Sequence, residues 1–508
     1  MRAEATVRNS FWGLFQQLVI CVLSIYSRRV MLDTIHIEGV GLNGLLTNVV
    51  AVLALAEMGV GTTLVYHMYK PLATGDDDTI TRLMNFYSNV YRFIALTIFV
   101  VGMCLMPFMK YIVKDVDYSD GYVMWIYFLF LMQTVTTYLF AYKRSILAAD
   151  QKQYIVSIYD LVFKILTVAG GIVILLITKN FALYLIFLII SAVINNLMIA
   201  NKVNHMYPFV KNRKPKLQKE YRHNIFKDIK NIFISKLSGT VTNSTDNILI
   251  SALVGTVTTG LYSNYTIILN TLTSIMNQFS YSMMGSIGNL IAVETKEHIE
   301  DVYKKLVFLM FFMAAFCCIC LSCLIDPFIT IVFGDNLLLE RYVVYISITI
   351  FYFATIKIPV WNMISGAGLF KMDKYISILG TTINLIVSFI LGSYIGIGGI
   401  LLGTICTYVI QYNLKIVLFY NSFLHKKCYK MLLSTYAYFI FTAGECLLAS
   451  YLTSLIPIAN PFFKFIVSAV VAAIFALGLN SLIFWKKREF VYFREKMLAI
   501  VFKKKQKA

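Results

Sequence analysis

The sequence predicts an all-α integral membrane protein with about fourteen transmembrane helices. Three observations support this fold class. First, 59% of the 508 residues are hydrophobic and only 14% are charged, whereas soluble globular proteins carry about 25% charged residues. Second, the mean hydropathy is +0.73. Third, runs of about 20 mostly apolar residues, the length that crosses a bilayer, recur along the chain. They are continuously apolar rather than alternating, which disfavours membrane-spanning strands.

The predicted spans follow one another without an inserted soluble domain. The first six cover residues 11–26, 42–66, 93–111, 123–142, 155–178 and 182–201. The other eight cover residues 232–254, 261–284, 306–333, 343–363, 376–395, 397–420, 432–455 and 462–485. The first span is expected to be retained rather than cleaved as a signal peptide, because Gln16 and Gln17 interrupt it and no small-residue cleavage site follows.

The distribution of cations predicts the orientation of the chain. Of the 45 Lys and Arg residues, 34 lie at the N-terminus, in the even-numbered loops and in the C-terminal tail. Six lie in the odd-numbered loops or, for Lys110, at the edge of a span next to one, and five lie deeper inside spans. Short cytoplasmic loops collect Lys and Arg, so both termini are expected in the cytoplasm. The basic stretches at 211–230 and 486–508 then fit attraction to anionic inner-leaflet lipid, and no nucleic-acid partner is expected.

A basic hydrophilic stretch divides the chain into six spans and then eight. We expect an N-lobe at 1–201, a cytoplasmic linker at 202–231, a C-lobe at 232–425, two further spans at 426–485 and a basic cytoplasmic tail at 486–508. A weak repeat supports the two lobes. The Gly-Leu pairs that begin at Gly41 and Gly260 each enter a span and are each followed closely by Asn. Because both copies cross in the same direction, the repeat would be parallel, a construction known in secondary transporters.

Two adjacent arginines interrupt the predicted charge pattern. Arg28 and Arg29 close the first span and are two of the six cations on the outer side. One interpretation is that they snorkel to the interface. The other is that one or both line a cavity and bind an anion.

Polar residues also collect inside the seventh and eighth spans. From Ser238 to Asn247, eight of ten side chains are polar. Hydrogen bonding between helices is one explanation, and a water-lined face is the other, which we favour. The candidate residues of this face are Lys236, Asn243, Asp246 and Asn247 in span seven, and Asn264 and Gln278 in span eight.

Other ionisable residues also lie inside spans, where such groups are costly and usually face the bundle interior, and we single out Glu57, Asp160 and Lys164. Glu57 in span two could bond a neighbouring helix, pair with Arg28 or Arg29, or carry a proton. Asp160 and Lys164 in span five are spaced i, i+4 and could form an ion pair on one helix face. These residues are coupling or ion-pair candidates.

No motif indicates an enzyme, a metal site or a cofactor. Catalytic triads, HExxH, phosphate-binding loops and paired metal-binding carboxylates are missing from the sequence. The nine cysteines have no metal-ligand spacing, and we interpret them as small apolar residues of helices. We therefore expect a membrane protein that is not an enzyme and needs no cofactor.

The chain resembles the Wzx-type polysaccharide and O-antigen flippases of the multidrug/oligosaccharidyl-lipid/polysaccharide (MOP) exporter superfamily. The first 110 residues carry most of the likeness, notably "YSRRVMLDTIHIEGVGLNGLL", "LAEMGVG" and "YKPLA". Further matching segments are "LMNFYSNVYR", "TDNILISALVGTVTTGLYSNY" and "GIGGILLGT". By similarity, Arg28 occupies the cationic position at the end of the first span and Glu57 the acidic position of span two.

This resemblance implies two six-helix lobes around a central cavity, plus two extra C-terminal helices, in the bacterial cytoplasmic membrane. The implied substrate is an undecaprenyl-pyrophosphate-linked oligosaccharide, a repeat unit of O-antigen, capsule or exopolysaccharide. It would be flipped across the membrane by alternating access. The resemblance also allows other polysaccharide-assembly membrane proteins as partners.

Two other functions stay open at the level of sequence. A cation-coupled multidrug exporter shares the fold, but it would require a cavity dominated by carboxylates rather than an arginine pair. A membrane-embedded polysaccharide polymerase or ligase would usually carry a large outer loop, whereas no outer loop of this sequence exceeds about 15 residues.

Overall fold

The computed structural model describes residues 2–53, 57, 60–113, 117–150, 152–211, 217–458 and 460–505. All regular secondary structure in these residues is helical, which confirms the prediction of an all-α protein. The helices up to residue 206 are α1 (Arg2–Leu53), α2 (Val60–Thr74), α3 (Asp77–Leu105), α4 (Met109–Ile112), α5 (Asp120–Ala149), α6 (Gln153–Thr178) and α7 (Phe181–Met206).

The later helices begin after the basic stretch of residues 211–216. They are α8 (Lys219–Leu253), α9 (Thr256–Val293), α10 (Lys296–Val332), α11 (Arg341–Ile356), α12 (Ile358–Gly366), α13 (Phe370–Ile395), α14 (Ile397–Leu418), α15 (Tyr429–Ser454), α16 (Pro461–Phe484) and α17 (Arg488–Lys505). Within the described residues, each of the fourteen predicted spans coincides with helical chain, and eleven helical segments are long and apolar enough to cross a membrane. The chain is a multi-pass membrane protein.

Helix α1 consists of two helices joined at a single residue. His36 has φ 55° and ψ −177°, while the residues on either side continue the helix. The sequence predicted a loop from residue 27 to residue 41, but the backbone turns at one position. Arg28 and Arg29 therefore lie on the first helix of α1, about two turns before the break, rather than in a loop.

Several helices extend beyond the apolar runs that predicted them. Helix α3 begins at Asp77, sixteen residues before the predicted start of the span, because Asp76 caps it by accepting from the Thr79 backbone N–H at 2.9 Å. An N-cap of this kind satisfies a backbone donor that has no partner in the helix. The acidic segment "GDDDT" at residues 75–79 therefore contains the start of α3.

The chain divides into two compact units. One comprises Leu18–Asn264 and Ser388–Ile400, and the other comprises the rest of the chain. In the first unit, α2, α3, α5 and α7 share an apolar core that includes the fully buried Leu64, Leu83, Tyr87 and Leu131. The predicted lobe boundary at 202–231 stays a prediction. The two units are defined by which residues pack together, whereas the lobes were predicted from the sequence repeat.

Helix α10 is the core of the other unit. It packs against α11, α15 and α16, and fifteen of its residues are buried. Phe311 of α10 stacks on Tyr438 of α15 with ring centroids 4.2 Å apart, and both rings meet Phe484 of α16 edge to face. These contacts attach the C-terminal helix pair to α10.

Candidate functional site

A buried arginine contacts α9 from the first helix of α1. Arg28 is only 6% exposed. Its Nε donates to Asn264 Oδ1 at 2.9 Å, and its Nη2 donates to Ser263 Oγ. All three residues belong to the unit formed by Leu18–Asn264 and Ser388–Ile400. We call Arg28, Ser263 and Asn264 the arginine site.

Two glycines allow α1 and α9 to approach closely next to this site. A Cβ at Gly41 would lie 2.2 Å from the carbonyl oxygen of Thr256, and one at Gly260 would lie 2.8 Å from that of Ile37. Gly41 and Gly260 are the two positions that the sequence repeat aligned. Because neither has a side chain, the helices pack backbone to backbone, and this contact places Ser263 and Asn264 against Arg28.

The charge of Arg28 is not neutralised by an acidic side chain within the described part of the chain. No carboxylate of a described residue lies within 4 Å of its guanidinium, and its hydrogen-bond acceptors, Asn264 and Ser263, are neutral. Moreover, Asn264 Nδ2 is buried without a hydrogen-bond partner among the described atoms. A buried charge normally needs a partner, and a buried orphan donor is rare. The arginine site therefore has the donors for an anion.

Arg29 lies in a different environment. Its side chain is 42% exposed, and its Nε lies 3.2 Å from Asp33 Oδ2, one turn along the same helix. Successive helix residues point about 100° apart, so the buried position of Arg28 turns Arg29 outward. The sequence nominated both arginines, and the structure separates them into a buried residue with neutral acceptors and an exposed residue with an acidic neighbour.

Glu57 contacts the neighbouring helix α3. Its Oε1 accepts a hydrogen bond from Tyr91 Oη at 3.1 Å, and the space beside it is opened by Gly61, where a Cβ would lie 3.6 Å from the carboxylate. Of the three roles considered for Glu57 from sequence, this contact corresponds to the bond with a neighbouring helix.

The polar face of α8 and α9 is described only in part. Asn247 has a buried Oδ1 without a hydrogen-bond partner among the described atoms, and Asp246 is partly exposed and interacts with other groups. The side chains of Lys236, Asn243 and Gln278 lie outside the described residues. Of the six nominated residues in these two helices, the structure places Asn264 in the arginine site.

Asp160 forms its ion pair with a different residue from the one expected. Its Oδ2 lies 2.9 Å from Arg144 Nη1 of α5, and its Oδ1 accepts from Asn195 Nδ2 of α7 at 2.8 Å. Arg144 also donates from Nη2 to Asn196 Oδ1 at 2.9 Å. Lys164 points to the exposed surface instead. The interhelical contact is favoured because Arg144 can also bond a second helix.

Sequence reasoning missed three of these polar contacts. Ser263 was passed over beside Asn264, and Arg144 was placed in a cytoplasmic loop because the apolar run ends at residue 142, although α5 continues to Ala149. In the other unit, Lys415 is 1% exposed, lies 2.5 Å from Asp373 Oδ1 and stands over the Trp361 ring at 3.7 Å. Lys415 could be noticed in the sequence as a positive residue inside an apolar run. Its pairing could not, because the partner Asp373 lies 42 positions away in sequence.

The described residues contain no group of three or more His, Cys, Asp or Glu side chains that could hold a metal ion. The arginine site itself contains donors and no carboxylate, which suits an anion and not a cation.

No protein-family model matches the sequence, and no curated protein matches it either. Solved structures do match the fold. The lipid II flippase MurJ in an inward closed conformation aligns with a TM-score of 0.67 at 12% identity, covering 93% of this chain and 98% of that one. An inward-facing multidrug resistance MATE family transporter of the MOP superfamily aligns with a TM-score of 0.63 at 13% identity, covering 80% and 96%.

A third match is the MATE multidrug transporter DinF-BH, with a TM-score of 0.54 at 14% identity, covering 82% of this chain and 95% of that one. These likenesses show that the chain has the fold of the MOP transporters. The predicted fold class is confirmed, and the neighbours are transporters and a flippase.

Proposed function

We propose that this protein is a flippase that moves a polyprenyl-pyrophosphate-linked oligosaccharide across the bacterial cytoplasmic membrane by alternating access. The shared fold supports a MOP-type transporter or flippase. The choice of an anionic lipid-linked substrate rests on one observation: Arg28 is buried against the neutral side chains of Ser263 and Asn264.

The chemistry of the arginine site suits a pyrophosphate. The bonds to α9 engage Arg28 Nε and Nη2, so Nη1 is left to bind a ligand, and Asn264 Nδ2 supplies a second unused donor. A guanidinium presents paired donors that match phosphate oxygens better than a lysine does. One such charge contact at about 4 Å contributes on the order of 4 kcal/mol at an effective dielectric of about 20.

Burial of the site fits a transport cycle. Asn264 is fully buried, and Arg28 is nearly so, so an anion reaches them only after α1 moves relative to α9. In this proposal, the substrate's pyrophosphate replaces the bonds between Arg28 and α9, which couples binding to a change of state. The polar face of Asp246 and Asn247 would then hydrate the sugars, while Glu57 and Asp160 are candidates for ion coupling.

A multidrug exporter of the same fold is the alternative that the test must separate. Purified protein is reconstituted into vesicles with a fluorescent undecaprenyl-pyrophosphate oligosaccharide, and flipping is measured with a membrane-impermeant quencher. In parallel, the same vesicles are loaded with a cationic dye. We expect protein-dependent flipping of the glycolipid and no dye export. Dye export without glycolipid flipping would reject the proposal.

A further inference from the structure

A separate cavity lies where four helices of the second unit end or begin. It has a volume of about 290 Å³ and is bounded by the end of α10, the start of α11, the end of α15 and the start of α16. The arginine site is not part of it. Its charged residues are Asp326, Arg341 and Lys464, and the remaining walls are rich in serine and threonine.

The carboxylate of this cavity is held in place by the protein. Asp326 Oδ1 accepts from Tyr265 Oη at 2.9 Å, and the same phenol oxygen accepts from the Leu339 backbone N–H at 3.2 Å. Asp326 Oδ2 lies 3.7 Å from Arg341 Nη1, which is an ion pair but too long for a hydrogen bond. Asp326 is therefore a fixed acceptor on the cavity wall.

The two cations keep donors available. The Arg341 side chain is 58% exposed, and its only hydrogen bond within the described residues is a long one from Nη2 to Tyr345 Oη at 3.5 Å. Lys464 Nζ makes no ion pair or hydrogen bond to the described residues, although this side chain is partly buried among apolar neighbours. With one carboxylate and two cations, the cavity has a net charge of +1.

The hydroxyl groups on the cavity walls are available as hydrogen-bond acceptors, because their protons are already donated elsewhere. Ser322, Ser450 and Thr453 donate their protons to main-chain carbonyls at 2.8, 3.1 and 2.9 Å. Ser450 Oγ also accepts a long hydrogen bond from Tyr345 Oη at 3.5 Å, and each of the three oxygens keeps at least one lone pair for a further donor. The cavity thus offers positive donors at Arg341 and Lys464 and hydroxyl acceptors on the same walls. A ligand that carries one anionic group and several hydroxyl groups could bond to the cations through the first and to the acceptors through the second.

The position of the cavity indicates where such a ligand comes from. Between the predicted spans, the two loops beside it cover residues 334–342 and 456–461 and contain a single cation, Arg341 itself. So few cations predict an extracytoplasmic location. Next to Lys464, the side chains of Phe462, Phe463 and Ile466 are exposed and give α16 an apolar surface suited to acyl chains. A polar headgroup site beside a lipid-facing surface fits a membrane lipid.

We propose that this cavity binds the headgroup of an anionic phospholipid of the outer leaflet. The phosphate lies between Arg341 and Lys464, and the hydroxyl groups of a polyol headgroup donate to Asp326 and to the wall oxygens. A phosphoglycerol headgroup, with one negative charge and free hydroxyls, complements a cavity of charge +1. Because the four bounding elements include α10, α15 and α16, the bound lipid holds the C-terminal helix pair against α10.

The test measures lipid binding rather than transport, so its result is independent of the proposed flippase activity. The full-length protein is purified in detergent, and its unfolding temperature is followed during titration with phosphatidylglycerol or phosphatidylcholine. The variants are Lys464→Gln and Arg341→Gln. The matched control is Lys430→Gln, which removes the same charge from an exposed position near the other end of α15. Soluble glycerol phosphate is tested at the same concentrations.

We expect saturable stabilisation by phosphatidylglycerol in the wild type and in Lys430→Gln, and little stabilisation by phosphatidylcholine. Each cavity variant loses about tenfold in apparent affinity, the usual size of a lost charge-assisted contact. Equal responses of Lys464→Gln and Lys430→Gln to phosphatidylglycerol would overturn the proposal. Stabilisation by glycerol phosphate to the same extent as by the lipid would overturn the assignment to a lipid. Native mass spectrometry of retained lipid checks any variant whose unfolding temperature is already low.

Discussion

Arg28 and Arg29 are neighbours in sequence with different surroundings. Arg28 donates to Ser263 and Asn264, whereas Arg29 pairs with Asp33 on its own helix. The difference follows from helix geometry, because a rotation of about 100° per residue turns one side chain to α9 and the next away from it. Sequence could nominate the pair from its place outside the charge pattern. It could not choose between them, because the choice depends on which face of α1 turns toward α9.

The first prediction concerns these two arginines. Arg28→Ala is expected to lower the flipping rate at least tenfold, since a hydrogen bond to a charged group contributes about 1.5–3 kcal/mol. Arg28→Lys keeps the charge but loses the paired donors, so an intermediate rate is expected. Arg29→Ala is the matched control and should flip at nearly the wild-type rate. Rates are measured in vesicles and normalised to inserted protein. A larger loss in Arg29→Ala than in Arg28→Ala would contradict the assignment of the anion to Arg28.

A second prediction separates charge from packing at the arginine site. Asn264→Asp puts a carboxylate of nearly the same shape next to Arg28, which neutralises the guanidinium inside the protein. We expect an unfolding temperature at or above that of the wild type together with a flipping rate reduced about tenfold or more, because the substrate must now displace a charged partner. Unchanged flipping in this variant would mean that Arg28 does not bind the substrate.

A third prediction concerns a cluster outside the membrane-spanning segments. Asp150 Oδ2 lies 2.6 Å from Lys152 Nζ and accepts from Tyr207 Oη at 2.5 Å, which ties the turn between α5 and α6 to the end of α7. Partial burial acts to raise the pKa of Asp150, but the hydrogen bonds from Lys152 and Tyr207 outweigh it and hold that pKa below its usual range. Burial and the bond to Asp150 raise the pKa of Tyr207 to about 12.

The sign of the pH effect follows from the lowered pKa of Asp150. The carboxylate stabilises the fold above its unfolded-state pKa, about 3.9, and this contribution is lost as the pH falls through the still lower folded-state value. Because the pair is partly exposed, the effect is expected to stay under about 1 kcal/mol. The unfolding temperatures of the wild type and Asp150→Asn, measured from pH 7 down to pH 3, should converge at the acidic end. A gap that widens toward low pH would contradict this assignment.

At the scale of the elements, apolar runs predicted the helices but not their full lengths. Hydropathy marks the part of a helix that lies in lipid, while caps and backbone hydrogen bonds decide where it ends. Helix α3 therefore begins at Asp77, and α5 continues past Arg144 to Ala149. The break at His36 could not be predicted, because neither a proline nor a glycine marks it.

The fourth prediction tests that contact between α1 and α9. Gly41→Ala would bring a Cβ to 2.2 Å from the Thr256 carbonyl oxygen, so the backbones must separate. A destabilisation of about 1–3 kcal/mol is typical of overpacking, and the flipping rate should fall as Ser263 and Asn264 move away from Arg28. Gly44→Ala is the matched control on the same helix, because its Cβ would make only an ordinary contact of 3.5 Å with Ser263. Equal unfolding temperatures for the two variants would disprove the close approach.

At the scale of the whole molecule, composition and periodic apolar runs were sufficient to predict an all-α membrane protein with the right succession of helices. The arginine site was only partly predictable. Arg28 and Asn264 could be named because each is polar in an apolar setting, but their pairing joins positions 236 residues apart. The sequence repeat aligned Gly41 with Gly260 without revealing that the two glycines also pack close together. Such contacts depend on helix packing, which one sequence does not encode in a readable pattern.

The last prediction is the orientation of the chain in the membrane, on which the outer position of the lipid cavity also depends. With 34 of 45 cations on one side, the positive-inside rule places the basic stretches 211–230 and 486–508 in the cytoplasm. Fluorescent-protein fusions after residue 230 and at the C-terminus should fluoresce, because that reporter folds in the cytoplasm. Alkaline phosphatase fused within residues 333–340 should be active, because that enzyme needs the oxidising exterior to form its disulfides. The two reporters are exchanged at every site as the control, and each exchanged fusion should be silent. Active phosphatase at the C-terminus would invert the topology and place the cavity of Arg341 and Lys464 on the cytoplasmic side, where the inner leaflet would have to supply its lipid.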